Sequence, residues 1–177
     1  MKIRHAALQD AAAIAAIYNH AVLHTDTIWS EQAVDSDNRS TWITQRQSDG
    51  YPVLIYADEA GNVAGYASYG AWRAFDGFRY TVEHSVYVHP DHQGKGAGRA
   101  LLTQIIAEAR QAGMHMMVAG ITATNQPSLH LHRSLGFTET AHMPQVGAKF
   151  GRWLDLTFMQ LKLDESRAPG DEKNAKR

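Results

Sequence analysis

Residues 93–99 read Gln-Gly-Lys-Gly-Ala-Gly-Arg. They stand between an apolar run, Val86-Tyr87-Val88, and a stretch with Leu101, Leu102, Ile105, Ile106 and Ala109 at helical spacing. A strand that turns through glycines into a helix can aim several backbone N–H groups at one point, and the helix N-terminus adds positive potential there. The chemistry this suits is anion binding, with Lys95 and Arg99 as added charge. The alternative is a flexible loop that only caps a helix. Two phosphate patterns are excluded. A P-loop needs Gly-Lys-Ser/Thr after its spacer, whereas here Gly96 follows Lys95. The dinucleotide pattern Gly-x-Gly-x-x-Gly ends on Arg99 when started at Gly94 and on Leu101 when started at Gly96.

Glu83 is the second candidate. It lies among Val82, Val86 and Val88, where an acidic side chain is costly unless it is paired or used. Paired, it meets Arg79 or another base; used, it is a general base in a partly desolvated cleft. Arg73 and Arg79 flank the same segment, and either can clamp a carboxylate in bidentate fashion. His89-x-x-His92 and His130-x-His132 are the tightest clusters among the 10 histidines. With no cysteine, no His-Glu-x-x-His helix, and His130 and His132 on different helix faces, metal catalysis is not expected.

The elements that must position these residues follow from periodicity and punctuation. Residues 2–5 alternate as a short strand. Residues 8–22 carry Ile14, Ile17, Tyr18 and Ala21 on one helical face. A second helix is predicted to start with Ser36 or Asp37 as N-cap and to run to about residue 48, with Trp42 and Ile43 inward. Residues 52–57 and 63–72 are strands joined by the turn chemistry of 58–62, and 79–88 is a further strand. After the glycine loop and its helix, which Gly113 stops, 116–121 is a buried strand. Residues 125–128 open another helix with Pro127 in its first turn, and Gly136 caps its end. Strands are expected at 138–141 and 152–163, joined by a loop containing Gly147 and Gly151. The order β-α-α-β-β-β-α-β-α-β-β makes one α/β domain around a mixed, mostly antiparallel sheet, spanning 1–163 and followed by a charged tail at 164–177.

The 177 residues fit one domain, and 44% hydrophobic with 20% charged residues is a globular composition. Seventeen basic and 18 acidic residues leave a net charge of −1, without the footprint of a general nucleic-acid binder. Absence of cysteine removes disulfides and thiolate nucleophiles. The longest apolar run, residues 11–17, is far short of the roughly 20 residues of a membrane span. Residues 1–5 lead into no apolar stretch of a signal peptide, so a cytoplasmic protein with no membrane partner is expected.

Gln93, Gly96 and Gly98 fit Gln-x-x-Gly-x-Gly/Ala directly after an apolar strand, and Asn125-x-x-Ser128-x-x-x-His132-x-x-x-Gly136-Phe137 follows about thirty residues on. In this element order the two motifs resemble the acyl-CoA loop and the later strand–helix–turn of the GNAT family of N-acetyltransferases. Segments 72–88 and 143–155 are similar to its phosphinothricin acetyltransferase branch, and within it to the bacterial methionine sulfoximine/methionine sulfone acetyltransferases, also described as L-amino acid N-acyltransferases.

The resemblance covers 1–163. It implies acetyl-CoA as co-substrate, no metal, and direct transfer in a ternary complex to the α-amine of a small amino acid or an analogue such as methionine sulfoximine, methionine sulfone or phosphinothricin. It places the pyrophosphate on Gln93, Gly94, Lys95, Gly96, Ala97, Gly98 and Arg99, and the thioester along the backbone of Val86, Tyr87 and Val88. Asn125 and Ser134 fall on the cofactor side. Glu83 is then the base, with Arg73, Phe75 and Thr81 around the amino acid and Trp29, Trp72 and Phe75 walling a pocket of modest size. His132 occupies a place where many members carry a tyrosine proposed to protonate the leaving thiolate; either it does so or it is a satisfied helix histidine. A homodimer is expected on the same ground. The rival readings are a non-catalytic acyl-CoA-binding or sensing domain and an acetyltransferase of protein or peptide amines.

Overall fold

The computed structural model describes residues 2–165, 168 and 169. Along them run β1 (Lys2–His5), α1 (Ala11–His24), α2 (Ser36–Ser48), β2 (Val53–Ala57), β3 (Val63–Ala71), β4 (Thr81–Val88), α3 (Ala97–Gln111), β5 (Met116–Thr122), α4 (Gln126–Ser134), β6 (Thr138–Lys149) and β7 (Arg152–Lys162). The strands form one sheet in the order β1-β2-β3-β4-β5-β7-β6. Every neighbouring pair is antiparallel except β4 and β5. Element order and fold class are those the sequence predicts.

The strands alternate side chains between two cores, as their two-residue period requires. Ile14 and Ile17 of α1 and Ile43 of α2 pack with Val53, Ile55 and Tyr66 on one face. Leu101, Leu102 and Ile105 of α3 and Leu129 of α4 pack with Leu54, Met117 and Met159 on the other. A bidentate pair fixes the entry into α1: Arg4 donates to both Asp10 carboxylate oxygens at 2.7 and 2.8 Å, and the Ala7 N–H donates to the same carboxylate at 2.8 Å.

What positions the site is the way β4 and β5 separate. Their parallel register covers Thr81↔Met116, Val82↔Met117 and Glu83↔Val118 and then stops. Beyond Glu83, β4 keeps only its β3 partner. The ladder there is bounded by Trp72 N–H to Thr81 O (3.3 Å) and His89 N–H to Ala64 O (2.8 Å). Antiparallel alternation between those two bonds assigns the amides of Glu83, Ser85 and Tyr87 to β3, and turns those of His84, Val86 and Val88 toward the gap.

Four boundaries differ from the sequence expectation. The N-cap of α2 is Asp35, whose side chain accepts from Asn38 N–H, because its extended backbone precedes Ser36. β4 starts at Thr81, since Asp76–Phe78 forms a 3₁₀ turn closed by Arg79. α1 runs to His24. The expected loop around Gly147 is instead the second half of β6. Pro144 and Gly147 are tolerated because β6 is an edge strand, and its register shifts between Met143 and Gly147 absorb them. Of the predicted tail, Asp164 lies 2.6 Å from His115 Nδ1, and beyond residue 165 all but residues 168 and 169 lie outside the described residues.

Candidate active site

The gap between β4 and β5 opens into a cleft of about 580 Å³. Its walls come from α1 (Ile17, Ala21), the loop after it (Thr25, Thr27), the glycine loop, and the start of α4.

The glycine loop sits at one end. Gly94 and Gly96 hold φ of +71° and +87°, the left-handed region that glycine adopts without a Cβ penalty. Gly96 is the N-cap of α3 and offers no side-chain cap; the first helical bond is Ala100 N–H to Gly96 O at 3.0 Å. The amides of Ala97, Gly98 and Arg99 are therefore the orphan donors of the first turn. A Cβ built on Gly94 or Gly96 meets nothing within 4 Å, so the loop that precedes these amides is open on that side.

The polar side chains of the loop shape it. Gln93 Nε2 donates to Val88 O (3.3 Å), Lys95 Nζ to Asp91 O (2.7 Å), and Arg99 Nη2 to Ser134 Oγ (2.7 Å). Ser134 is exposed and passes its own proton to Leu131 O at 2.7 Å. Asn125 borders the cleft while its Oδ1 caps α4 by accepting Ser128 N–H at 3.2 Å. Open amides, a positive helix end and a bordering amide side chain make a fit for a phosphorylated, amide-bearing arm.

Glu83 lies on the opposite sheet face from His84, beside Thr81, Ser85 and Tyr87. It sits just beyond the cleft lining, over Gly120: a Cβ on Gly120 would stand 3.1 Å from Glu83 Oε1. The carboxylate is half-buried, and among the described residues no hydrogen bond or ion pair reaches it; Arg79 donates instead to Asp76 O at 3.0 Å. Burial raises its pKa above the ordinary carboxyl value, with the charge of Arg73 pulling the other way. Such a carboxylate takes up a proton more readily than an exposed one. Arg73 is exposed, stacks 4.4 Å over Trp72 and donates to Trp72 O at 2.9 Å. Phe75 is 80% exposed and walls nothing within this chain. Trp29 stands behind the lining: its indole N–H donates to Asp26 O (3.0 Å) and to Oγ1 of the cleft-lining Thr122 (2.9 Å), two residues along β5 from Gly120.

Sequence reasoning missed three residues here. His84 is buried, and its ring stacks on His132 at 5.1 Å with Phe137 edge-on to both. Burial, with His132 adding to it, pushes His84 down to about 3, and burial also lowers His132. Both rings are neutral near pH 7. His132 Nδ1 lies 2.7 Å from Ser128 O, an acceptor only, so it carries the proton; its bare Nε2 then accepts from His84 Nε2–H at 3.2 Å. In that state His132 has no proton free to give away. The signal was the alternation of Val82, His84, Val86 and Val88, which places His84 on a core face. Arg46 is the second: its guanidinium lies over Gly70, the direct cross-strand partner of Glu83, where any Cβ would collide with it. The third is Lys149, buried at 2% exposure against the loop after α1.

Among the described residues no group of three or more His, Cys, Asp or Glu is placed to hold a metal ion, and no helix is long and apolar enough to cross a membrane. His130 is exposed and His132 buried, on different faces as their spacing predicts.

A sequence profile described as the Acetyltransferase (GNAT) family matches residues 14–137. The chain is 67% identical over 169 residues to the L-amino acid N-acyltransferase MnaT of Escherichia coli strain K12, covering 96% of this chain and 98% of that protein. It is 66% identical over the same length to the L-methionine sulfoximine/L-methionine sulfone acetyltransferase of Salmonella typhimurium, with the same coverage. An acetyltransferase of Salmonella typhimurium, solved with its cofactor acetyl-CoA, superposes with a TM-score of 0.93 at 65% identity over 97% of this chain and 98% of that one. The profile match and these identities over nearly the whole length show that the chain belongs to the GNAT acetyltransferase family and is an N-acetyltransferase.

Proposed function

We propose that this chain transfers the acetyl group of acetyl-CoA to the α-amine of a small amino acid or analogue, with methionine sulfoximine and methionine sulfone as preferred acceptors and phosphinothricin as a related one. The observation that carries the reading is the half-buried, unpaired Glu83 over Gly120, beside the gap between β4 and β5. An amino acid's α-ammonium must lose a proton before it can attack, and Glu83 accepts it. The amine nitrogen then bonds to the thioester carbonyl carbon, the C–S bond breaks, and the thiolate leaves with the nitrogen's remaining surplus proton. The products are the acetylated amine and free coenzyme A.

The amides of Val86 and Val88, which face the gap, are the donors for the thioester; the Tyr87 amide belongs to the β3 ladder. The pyrophosphate lies on the amides of Ala97, Gly98 and Arg99, with the side chains of Gln93, Lys95 and Arg99 holding the loop in shape, Ser134 anchoring Arg99, and Asn125 facing the arm between. His132 and His84 act as positioning residues that fix α4 against β4. Thr81, Arg73, Trp29 and Thr122 surround the amino acid, Arg73 as the partner of its carboxylate.

A panel of acceptors tests the substrate class. Methionine sulfoximine or methionine sulfone is expected to be acetylated faster than lysine-containing peptides. Arg73→Ala is expected to raise KM for the amino acid about tenfold, the size of one charge-assisted hydrogen bond, and to leave KM for acetyl-CoA nearly unchanged. Better turnover of peptide amines, or amino-acid kinetics indifferent to Arg73→Ala, overturns the substrate reading.

We further propose a cytoplasmic homodimer. Met143, Val146, Phe150 and Trp153 on the β6–β7 hairpin are 40%, 47%, 47% and 69% exposed, and this concentration of exposed apolar side chains on one hairpin supports a contact between copies. Sedimentation is expected to give twice the 19.6 kDa chain mass, and Trp153→Glu to give the single chain. A wild-type protein that sediments as one chain at micromolar concentration refutes the dimer.

A further inference from the structure

Lys149, at the end of β6, is 2% exposed, yet its ammonium is fully satisfied. Nζ donates to Thr25 O at 2.5 Å, Ile28 O at 2.6 Å and Ala21 O at 3.4 Å, three acceptors for three protons. Ala21 O belongs to the last turn of α1, where it also accepts from Thr25 N–H at 3.2 Å and Thr25 Oγ1 at 2.8 Å, and where a cation is favoured by the helix dipole. Thr25 and Ile28 bracket the segment that follows. Asp26 and Glu31 are the acidic groups facing the ammonium from that segment.

The contact is one of several between the hairpin tip and this segment. Phe150 N–H donates to Glu31 Oε1 at 2.8 Å, and Arg152 pairs with Asp26 at 3.8 Å. Gly147 lies against the face of Trp29 so closely that a Cβ would enter the ring. The gripped segment is one wall of the cleft: Thr25 and Thr27 line it, and Trp29 and Asp26 are joined to Thr122 by bonds of 2.9 and 2.6 Å. Thr122 shares a sheet face with Gly120, on which Glu83 rests. Among the described residues no hydrogen bond or ion pair joins the glycine loop, which lines the same cleft, to these groups.

We propose that Lys149 is a positioning residue for the amine acceptor: its buried ammonium holds residues 25–29 in the geometry that closes the acceptor side of the cleft beside Glu83. The proposal rests on the reading of that side as the amino-acid site. A surface lysine would lose little on truncation, whereas this one leaves two short-range carbonyls without a donor and frees the wall.

The experiment compares wild type with Lys149→Met, which keeps the stem and loses the ammonium, and Lys149→Gln, which keeps a donor at shorter reach. Hydrogen exchange is followed segment by segment, and kinetics with methionine sulfone are followed at a temperature where each variant is folded. Lys149→Met is expected to lose protection selectively at residues 25–31 and to raise KM for the amino acid about tenfold or more. Acetyl-CoA KM is expected to change less than threefold, and Lys149→Gln is expected to fall between. Amino-acid KM within twofold of wild type in a folded variant overturns the proposal. So does protection lost evenly along the chain with both KM values moving together, and so does failure of both variants to fold, since each assigns Lys149 to stability alone. Turnover of amino acids by the wild type tests the underlying reading separately, and the exchange pattern at 25–31 does not depend on which amine is the acceptor.

Discussion

Replacing Glu83 by Gln is expected to lower the maximal rate of acetylation by about 10²–10⁴-fold, the usual span for loss of a general base, while acetyl-CoA affinity stays within about twofold of wild type. The amide keeps the shape and the contact with Gly120 and cannot accept the ammonium proton. The pH profile separates this from a structural role. In the wild type, activity rises with pH through the Glu83 pKa, which burial sets above the ordinary carboxyl range. In Glu83→Gln that limb disappears, and activity climbs only toward alkaline pH, where the amine deprotonates unaided.

Stability moves in the opposite sense. A carboxyl whose folded pKa is raised contributes stability that is fully present below its unfolded pKa and is lost as pH rises through the folded one. At pH 7 the ionised Glu83 is a liability, and Glu83→Gln is expected to melt at the same temperature or slightly higher. Near-normal turnover at neutral pH, or a melting temperature that falls with the activity, makes Glu83 a structural residue. An enzyme that keeps a destabilising carboxylate beside its cleft is trading stability for chemistry.

Much of this was legible because local signals coincide with function. The loop at 93–99 declares itself through glycines that the backbone needs at positive φ, and Glu83 through the cost of an acid between valines. Asn125 declares itself as a cap before Pro127, and it both caps α4 and borders the cleft. What escaped depends on pairings distant in sequence. His84 gains its meaning from a ring 48 positions away. Lys149 reaches carbonyls more than 120 positions earlier, and Pro144 and Gly147 beside it read as loop because edge placement in the sheet cannot be seen locally. Lys95 and Arg99 are a case of the same kind: they donate to Asp91 O and Ser134 Oγ, and we propose that the anion site is left chiefly to backbone amides. Phe75, which the resemblance places near the amino acid, is 80% exposed in this chain.

That reassignment makes Gly96 more important than either neighbouring cation. Gly96→Val adds a branched side chain in open space at the N-cap immediately before the amides of Ala97, Gly98 and Arg99, and is expected to keep a pyrophosphate from reaching them. Each charge-assisted bond lost is worth about 1.5–3 kcal/mol, so acetyl-CoA is expected to bind at least about 100-fold more weakly by calorimetry. The substitution also strains the chain, because valine at φ near +87° costs about 1–3 kcal/mol whatever the space around it. In a protein of this length that lowers the melting temperature by about 2–10 °C.

The two effects are separable with Gly61→Val, which carries the same strain at φ +88° in the β2–β3 turn, with open space around it and outside the residues that line the cleft. The Gly61 variant is expected to lose the same few degrees and to bind acetyl-CoA as wild type does. Lys95→Ala, whose ammonium is bonded to Asp91 O rather than free, is expected to weaken binding far less than Gly96→Val. A folded Gly96→Val protein with wild-type affinity, or a Gly61→Val protein that loses affinity equally, removes the anion site from this loop. If Lys95→Ala instead proves as damaging as Gly96→Val, side-chain charge rather than backbone geometry holds the phosphates.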